Sequence, residues 1–395
     1  MPVHRQKKDT TPKTPSSTQE QTAPPLPDQR EFRQHLRDLA RSAMRLVLED
    51  VMREELDALI GVGWGESSPE RKGYRNGFYT RDLVTTSGRI EDLQVPRDRE
   101  GQFHTRVFER YRRYEPQVAQ GLTEMFVAGT STHKVGEVAE TLMGVTPSAS
   151  AISRLTGDLE QQFTAWRERA LQRHWRILYL DGIHLSVRHG DQADSTVILT
   201  ALGVDMAGNK EVLALRACAE EDKDGWLSLL EDIRRRGATQ IDLIVTDGHD
   251  GLLAAVRQLF AATPRQRCLL HKQRNVLNAV PRRVSRDVAT ELAGIWAQPS
   301  KQGALTQLAA FKAKYGQLYP EAVRSLVEEE EKTMTFYDFP QTMHRYIRTT
   351  NAIESLFSNV RQRTDQIDVF TTEMSCLTIV WATIEGIRLR KVPVD

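Results

Sequence analysis

A chain of 395 residues, 39% apolar and 27% charged, has the make-up of a soluble protein with two or three ordinary domains and a sizeable core. No apolar run approaches the roughly 18 to 20 residues that span a bilayer, the polar N-terminus lacks a secretory-signal core, and Cys218, Cys268 and Cys376 are too scattered for a disulfide framework. A membrane protein and a disulfide-stapled secreted one are thereby excluded, and a cytoplasmic location is expected.

The net charge of +1 announces no partner, but its distribution is uneven. Between Arg71 and Arg113 there are eleven Lys/Arg against six Asp/Glu, and from Arg265 to Arg286 seven Lys/Arg and no acid. Such runs are either phosphate-binding footprints or solvated surface.

Residues 1–30, rich in Pro, Thr, Gln and Ser without apolar periodicity, are predicted to form a disordered tail. Residues 31–65 form a helical segment, with Leu36, Leu39, Ala43, Leu46, Val47, Leu56 and Leu59 at helical spacing until Gly61, Gly63 and Gly65 end it. Residues 66–115 change character, with short alternating stretches broken by Gly88, Pro96 and Gly101, and read as a small, basic, β-rich module. Aromatics and arginines interleave there (Tyr74, Phe78, Tyr79, Tyr111, Arg112, Arg113, Tyr114). That mixture suits backbone contact and base stacking, with Tyr74, Arg75, Asn76, Arg97, Arg99, Arg112 and Arg113 as candidate DNA contacts. The alternative is a hydrophobic platform for another domain. Over 116–172 helical spacing returns. A helix through His133–Leu142, a Gly-containing turn and a second helix from about Ala149 are the ingredients of helix-turn-helix, although any two packed helices look alike.

From Arg173 the pattern becomes α/β. Strands are predicted at 176–188, 195–204 and 210–217, a helix over 222–236, a strand at 240–246, a helix over 249–261 and a short strand at Arg267–Leu270. Three antiparallel strands, then helix, strand, helix, strand, is the order of a ribonuclease-H-like catalytic core, here 173–271. Residues 272–345 read as a helical insertion, and 346–395 as a catalytic helix with the end of the core. The expected fold class is therefore α/β, a ribonuclease-H-like domain with a helical insertion, preceded by mostly helical DNA-binding domains. Trp226, on the first of these helices, reads as core.

Asp181 and Asp247 each stand where a strand-like apolar run meets a glycine, and that strand order makes them neighbours. Glu354 lies near the start of a helix whose polar face carries Asn351, Ser355, Ser358 and Arg361, with Ile353, Leu356, Phe357 and Val360 opposite. Alone, an Asp-Gly is more often a turn, and Glu354 an acid favoured by the helix dipole. Together, two strand-end carboxylates and a helical one suit two Mg²⁺ ions about 4 Å apart, which activate an attacking oxygen and stabilise a leaving oxygen of a phosphodiester. Cys268 and His271 look like half a zinc site, but no second Cys/His pair has suitable spacing. Cys268 reads as a buried packing residue. His271, ahead of Lys272 and Arg274, reads either as a group near phosphate and metal or as a structural histidine at a helix start.

The stretches Tyr179–Gly182, Val245–Gly248, Gln266–Asn275 and Arg348–Ser355, with Tyr74–Gly77 and Val95–Arg99 upstream, resemble the Mutator-type transposases of bacterial insertion sequences. The resemblance is colinear from about residue 50 to 390. It implies a DDE transposase whose metal ligands are Asp181, Asp247 and Glu354, with supporting roles for Cys268 and His271; the residues themselves add Asn351 as a support and Lys272, Arg274 and Arg361 as DNA contacts. It further implies two Mg²⁺ ions, for which Mn²⁺ substitutes, and double-stranded DNA as partner, both terminal inverted repeats and target. A homo-oligomer, expected as a dimer on paired ends, would act in the bacterial cytoplasm, nucleoid-associated when bound to DNA. His184 departs from the family, which often has an aromatic there. Two rivals stay open: a ribonuclease-H-like nuclease or resolvase without strand transfer, and a non-catalytic DNA-binding protein.

Overall fold

The computed structural model describes residues 28–108, 113–127, 130, 132–143, 145–147, 149–190, 192–365, 367 and 369–394. The predicted tail up to residue 27, Tyr111, Arg112, Gly144 and Asp191 lie outside the described residues. The chain divides into two compact units after Glu115.

In the first unit, helix α1 (Gln29–Ile60) ends at Gly61, whose left-handed φ of 82° lets its N–H close on the Asp57 carbonyl. Strands β1 (Arg75–Thr85) and β2 (Gly88–Asp98) form an antiparallel hairpin. Their inward residues Leu83, Ile90, Leu93 and Val95 enclose a small core with Met52 of α1 and Phe108. The buried residues of α1 are all in its second half, and Glu49 among them accepts the Gln94 N–H at 3.0 Å.

The second unit opens with α2 (Pro116–Val127), α3 (Thr132–Met143) and α4 (Ala149–Glu168), followed by β3 (His174–Trp175), β4 (Ile177–His189), β5 (Gln192–Val204), β6 (Lys210–Cys218), α5 (Lys223–Arg235), β7 (Gln240–Ile241), β8 (Ile244–Thr246), α6 (Asp250–Leu259) and β9 (Arg265–Arg267). Among the described residues a mixed sheet runs in the order β6-β5-β4-β8-β9, with β4, β5 and β6 antiparallel and β8 and β9 parallel to β4. Both faces are covered, which is why the strands read as nearly continuous apolar runs. Leu178, Leu180 and Leu199 face α5 and α6 with the fully buried Trp226, while Ile177, Tyr179, Ile183 and Val187 face the other core. Gly203 is required by this packing, since a Cβ there would lie 2.6 Å from the Trp175 ring.

Helices α7 (Leu269–Asn278), α8 (Arg282–Trp296), α9 (Lys301–Tyr315), α10 (Pro320–Val327), α11 (Glu330–Thr333), a 3-10 turn (Thr335–Asp338) and α12 (Gln341–Ile347) follow, and α13 (Asn351–Thr364) and α14 (Glu373–Glu385) return to the sheet. The burial of α13 follows its sequence pattern: Ile353, Leu356, Phe357 and Val360 are buried, and Asn351, Ser355, Ser358 and Arg361 are exposed. Arg363 fastens this helix to the end of α2 by donating to the Phe126 carbonyl at 2.6 Å.

Three expectations change. The strand at 240–246 is two strands in different sheets, because Asp242 leaves the ladder to bind His174 (2.7 Å) and Arg176 (3.0 Å). The strand expected at Arg267–Leu270 ends at Arg267, Cys268 precedes the helix, and α7 begins at Leu269. Asp181 is not at a strand end, since β4 continues to His189. Among the described residues no helix is long and apolar enough to cross a membrane.

Candidate active site

Parallel pairing of β4 with β8 sets Leu180 opposite Thr246, so the next residues are Asp181 on β4 and Asp247 just past the end of β8. Neighbouring strands lie about 4.8 Å apart. β8 stops at Thr246, which opens the flank of β4 at Asp181. Burial pushes the Asp181 carboxyl up to about 7, and the negative charges of Asp247 and, more weakly, Glu354 add to it. Its own Gly182 N–H, 2.9 Å from Oδ1, and the nearby His271 pull the other way. Asp247 is oriented by the His249 N–H at 3.0 Å from Oδ1.

Glu354 enters from α13, half-buried, with Oε1 accepting the Thr350 hydroxyl at 2.8 Å. The same hydroxyl lies 3.3 Å from the Cys268 sulfur, and the Thr350 N–H 3.4 Å from it. His271 Nδ1, buried and without a hydrogen-bond partner, is 3.9 Å from Glu354 Oε1. Among the described residues Cys268, His271 and Glu354 offer ligand atoms all within 4.8 Å of one another. Burial opposes ionisation of the Cys268 thiol, yet its contacts with His271 and Thr350 hold it below its ordinary value. The Cys268 sulfur raises the His271 ring against the effect of burial, helped by the charges of Asp181 and Asp247. Cys268 is thus buried as expected, but it braces Glu354 through Thr350 as well as filling space.

Two charged groups at this place escaped the sequence reading. Glu221, before α5, turns one oxygen to the Trp226 indole N–H (3.1 Å), and burial followed by the charge of Asp247 raises its pKa. Its only local signal is an acidic run at a strand–helix junction, Glu220–Asp222. Arg267, 5% exposed, lies over Gly248 beside Asp247. It stood inside a recognised motif, but nothing in its spacing marks which way the side chain turns.

Lys272 does not fit its expected role as a DNA contact. It is 2% exposed, and its ammonium donates to the carbonyls of Ser325 and Glu328, both at 2.6 Å, at the end of α10. Arg274, two residues on and on the opposite face of α7, is exposed, as are Asn351 and Arg361. In the first unit Arg75 is likewise used internally, held by Asp57 and the Val62 carbonyl. Asn76, Arg97, Arg99 and Arg113 are exposed, and the exposed Tyr74 ring has Arg71 over it at 4.5 Å and Arg99 at 6.0 Å. Arg112 lies outside the described residues.

The family model described as "Transposase, Mutator family" matches residues 17–388. The transposase for insertion sequence element ISRM5 of Rhizobium meliloti is 36% identical over 345 residues, covering 87% of this chain and 86% of that protein. The transposase for insertion sequence element IS256 in transposon Tn4001 of Staphylococcus aureus is 29% identical over 352 residues, covering 88% and 89%. The solved Drosophila P element transposase strand transfer complex aligns with a TM-score of 0.38 at 11% identity, covering 74% of this chain and 95% of that one.

Proposed function

The chain belongs to the Mutator family of transposases, and from that premise we propose that it binds the terminal inverted repeats of an insertion sequence and catalyses Mg-dependent DNA cleavage and strand transfer at Asp181, Asp247 and Glu354. One observation carries this reading: the β4–β8 pairing and α13 bring Asp247 and Glu354 within electrostatic reach of Asp181, whose carboxyl is raised by burial and then by those two charges. Three hard oxygen donors of like charge are the donor set that fits Mg²⁺ or Mn²⁺. A bound pair of ions would activate the attacking oxygen and stabilise the leaving one.

The protein's own part is positioning. The His249 N–H orients Asp247, Thr350 and Cys268 hold Glu354, and the Gly182 N–H supports the ionised form of Asp181. His271, its pKa raised first by its contact with Cys268, stands among the carboxylates. We read the strand order, three antiparallel strands followed by two parallel ones, as ribonuclease-H-like, with α7–α12 as its helical insertion. The exposed arginines and aromatics of the hairpin unit suit the grip on double-stranded DNA, and paired ends call for a dimer.

The test incubates purified protein with Mg²⁺, a labelled end and a second DNA. Wild type is expected to give joined product, and Glu354→Ala or Asp247→Ala to lose it by on the order of 10³-fold while end binding without metal persists. Joining by either variant at near wild-type levels counts against the assignment. Nicking without joining favours a plain nuclease, and binding without chemistry a DNA-binding protein.

A further inference from the structure

The guanidinium of Arg267 has no part in the steps above, yet it lies directly on Gly248, the residue after Asp247. Gly248 has a φ of 87°, and any side chain placed there would collide with the Nη1, Cζ and Nε atoms of Arg267. The fit is reciprocal: glycine makes room for the guanidinium, and the guanidinium closes over the glycine. Arg267 is 5% exposed, and its Nε and Nη1 are buried without a hydrogen-bond partner. Glu329 Oε2 stands 3.8 Å from Nε, too far to satisfy it, because that carboxylate is taken by Arg265. On the other side, the Asn275 amide, turned so that both its ends are satisfied, accepts from Nη2 and donates to the His271 carbonyl, each at 3.2 Å.

A buried cation with unmet donors costs stability, and replacing such a group by an apolar one is often neutral or favourable. Its burial also rules out direct contact with DNA. What it does touch is the turn that carries Asp247, and the charge of Asp247 acts on it.

We propose that Arg267 is a positioning residue for Asp247. Its planar guanidinium lies over the Gly248 peptide and clamps the turn Asp247–His249. Through its hydrogen bond to Asn275 it ties that turn to α7, and Glu329 supplies only a facing charge. The inference rests on the reading of Asp247 as a site carboxylate.

The test compares full-length wild type, Arg267→Met, Gly248→Ala and the double variant. Arg267→Met is expected to lower strand joining by about 100-fold, the scale of a 1 Å misplacement. Its melting temperature in chelator and its end binding without metal should match wild type, while the rise in melting temperature on adding Ca²⁺ shrinks. A purely structural arginine would lower the chelator melting temperature and leave the Ca²⁺ response intact, which overturns the proposal. Because Gly248→Ala displaces the same guanidinium, the double variant should lose no more than the worse single one. Losses that multiply also overturn it. Should Arg267→Met not fold, Arg267→Lys, which keeps charge without a planar fork, takes its place in the cycle. Asp247→Ala is the control. Joining by that variant sinks the underlying reading, whereas its loss together with full joining by the Arg267 variants sinks this inference alone.

Discussion

At the residue scale, Asp181 carries the largest consequence for solution behaviour. Burial and the neighbouring charge of Asp247 hold its folded carboxyl at about 7, against 3.8 ordinarily. Between those values the folded protein keeps a proton that the unfolded chain releases. The contribution of Asp181 to stability is therefore fully present below about pH 4 and is lost as pH rises through about 7, by on the order of a few kcal/mol. Melting curves in chelator should show this fall for wild type, and Asp181→Asn should lack that component. Superimposable pH profiles for the two proteins would refute the assignment. The acid itself is legible in the sequence because an apolar run, an aspartate and a glycine are contiguous. The strand predicted at 176–188 also runs past it, as β4 does, but that β8 stops beside it at Thr246 is not legible.

At the scale of the element, α7 presents two faces with opposite roles. Lys272 points inward and satisfies two carbonyls at the end of α10, and Arg274 points to solvent. Lys272→Ala should cost about 2 kcal/mol, seen as a lower melting temperature, because it orphans buried acceptors. The salt dependence of end binding should stay the same. Arg274→Ala should leave melting unchanged and reduce the slope of log affinity against log salt by about one. The reverse pattern would restore Lys272 as a DNA contact. Sequence placed both lysine and arginine in one basic run, since charge counts carry no direction. By contrast, the faces of α13 were readable, because helical periodicity separates Ile353, Leu356 and Phe357 from Asn351 and Ser355.

For the whole molecule, the two units hold separate cores, a small one around Met52, Leu83 and Leu93 and large ones on both faces of the mixed sheet. Leu93, fully buried, should cost about 2–5 kcal/mol on truncation to alanine. In calorimetry Leu93→Ala should lower one transition and leave the larger one in place, with weaker end binding. A single transition that moves as a whole would show that the units do not unfold independently.

The sequence by itself determined the family, most of the order of strands and helices after Arg173 and the core position of Trp226, and it singled out the three acids as candidates. These are properties of short segments, where periodicity and contiguous motifs record what each element must bury. Tertiary structure alone decided that Lys272 caps α10, that Asp242 splits a strand, that Glu221 joins the carboxylates and that Arg267 rests on Gly248. Each of these depends on what lies opposite a side chain, and that partner comes from another element. Local spacing says which face a residue occupies, but the packing of distant segments sets what that face meets.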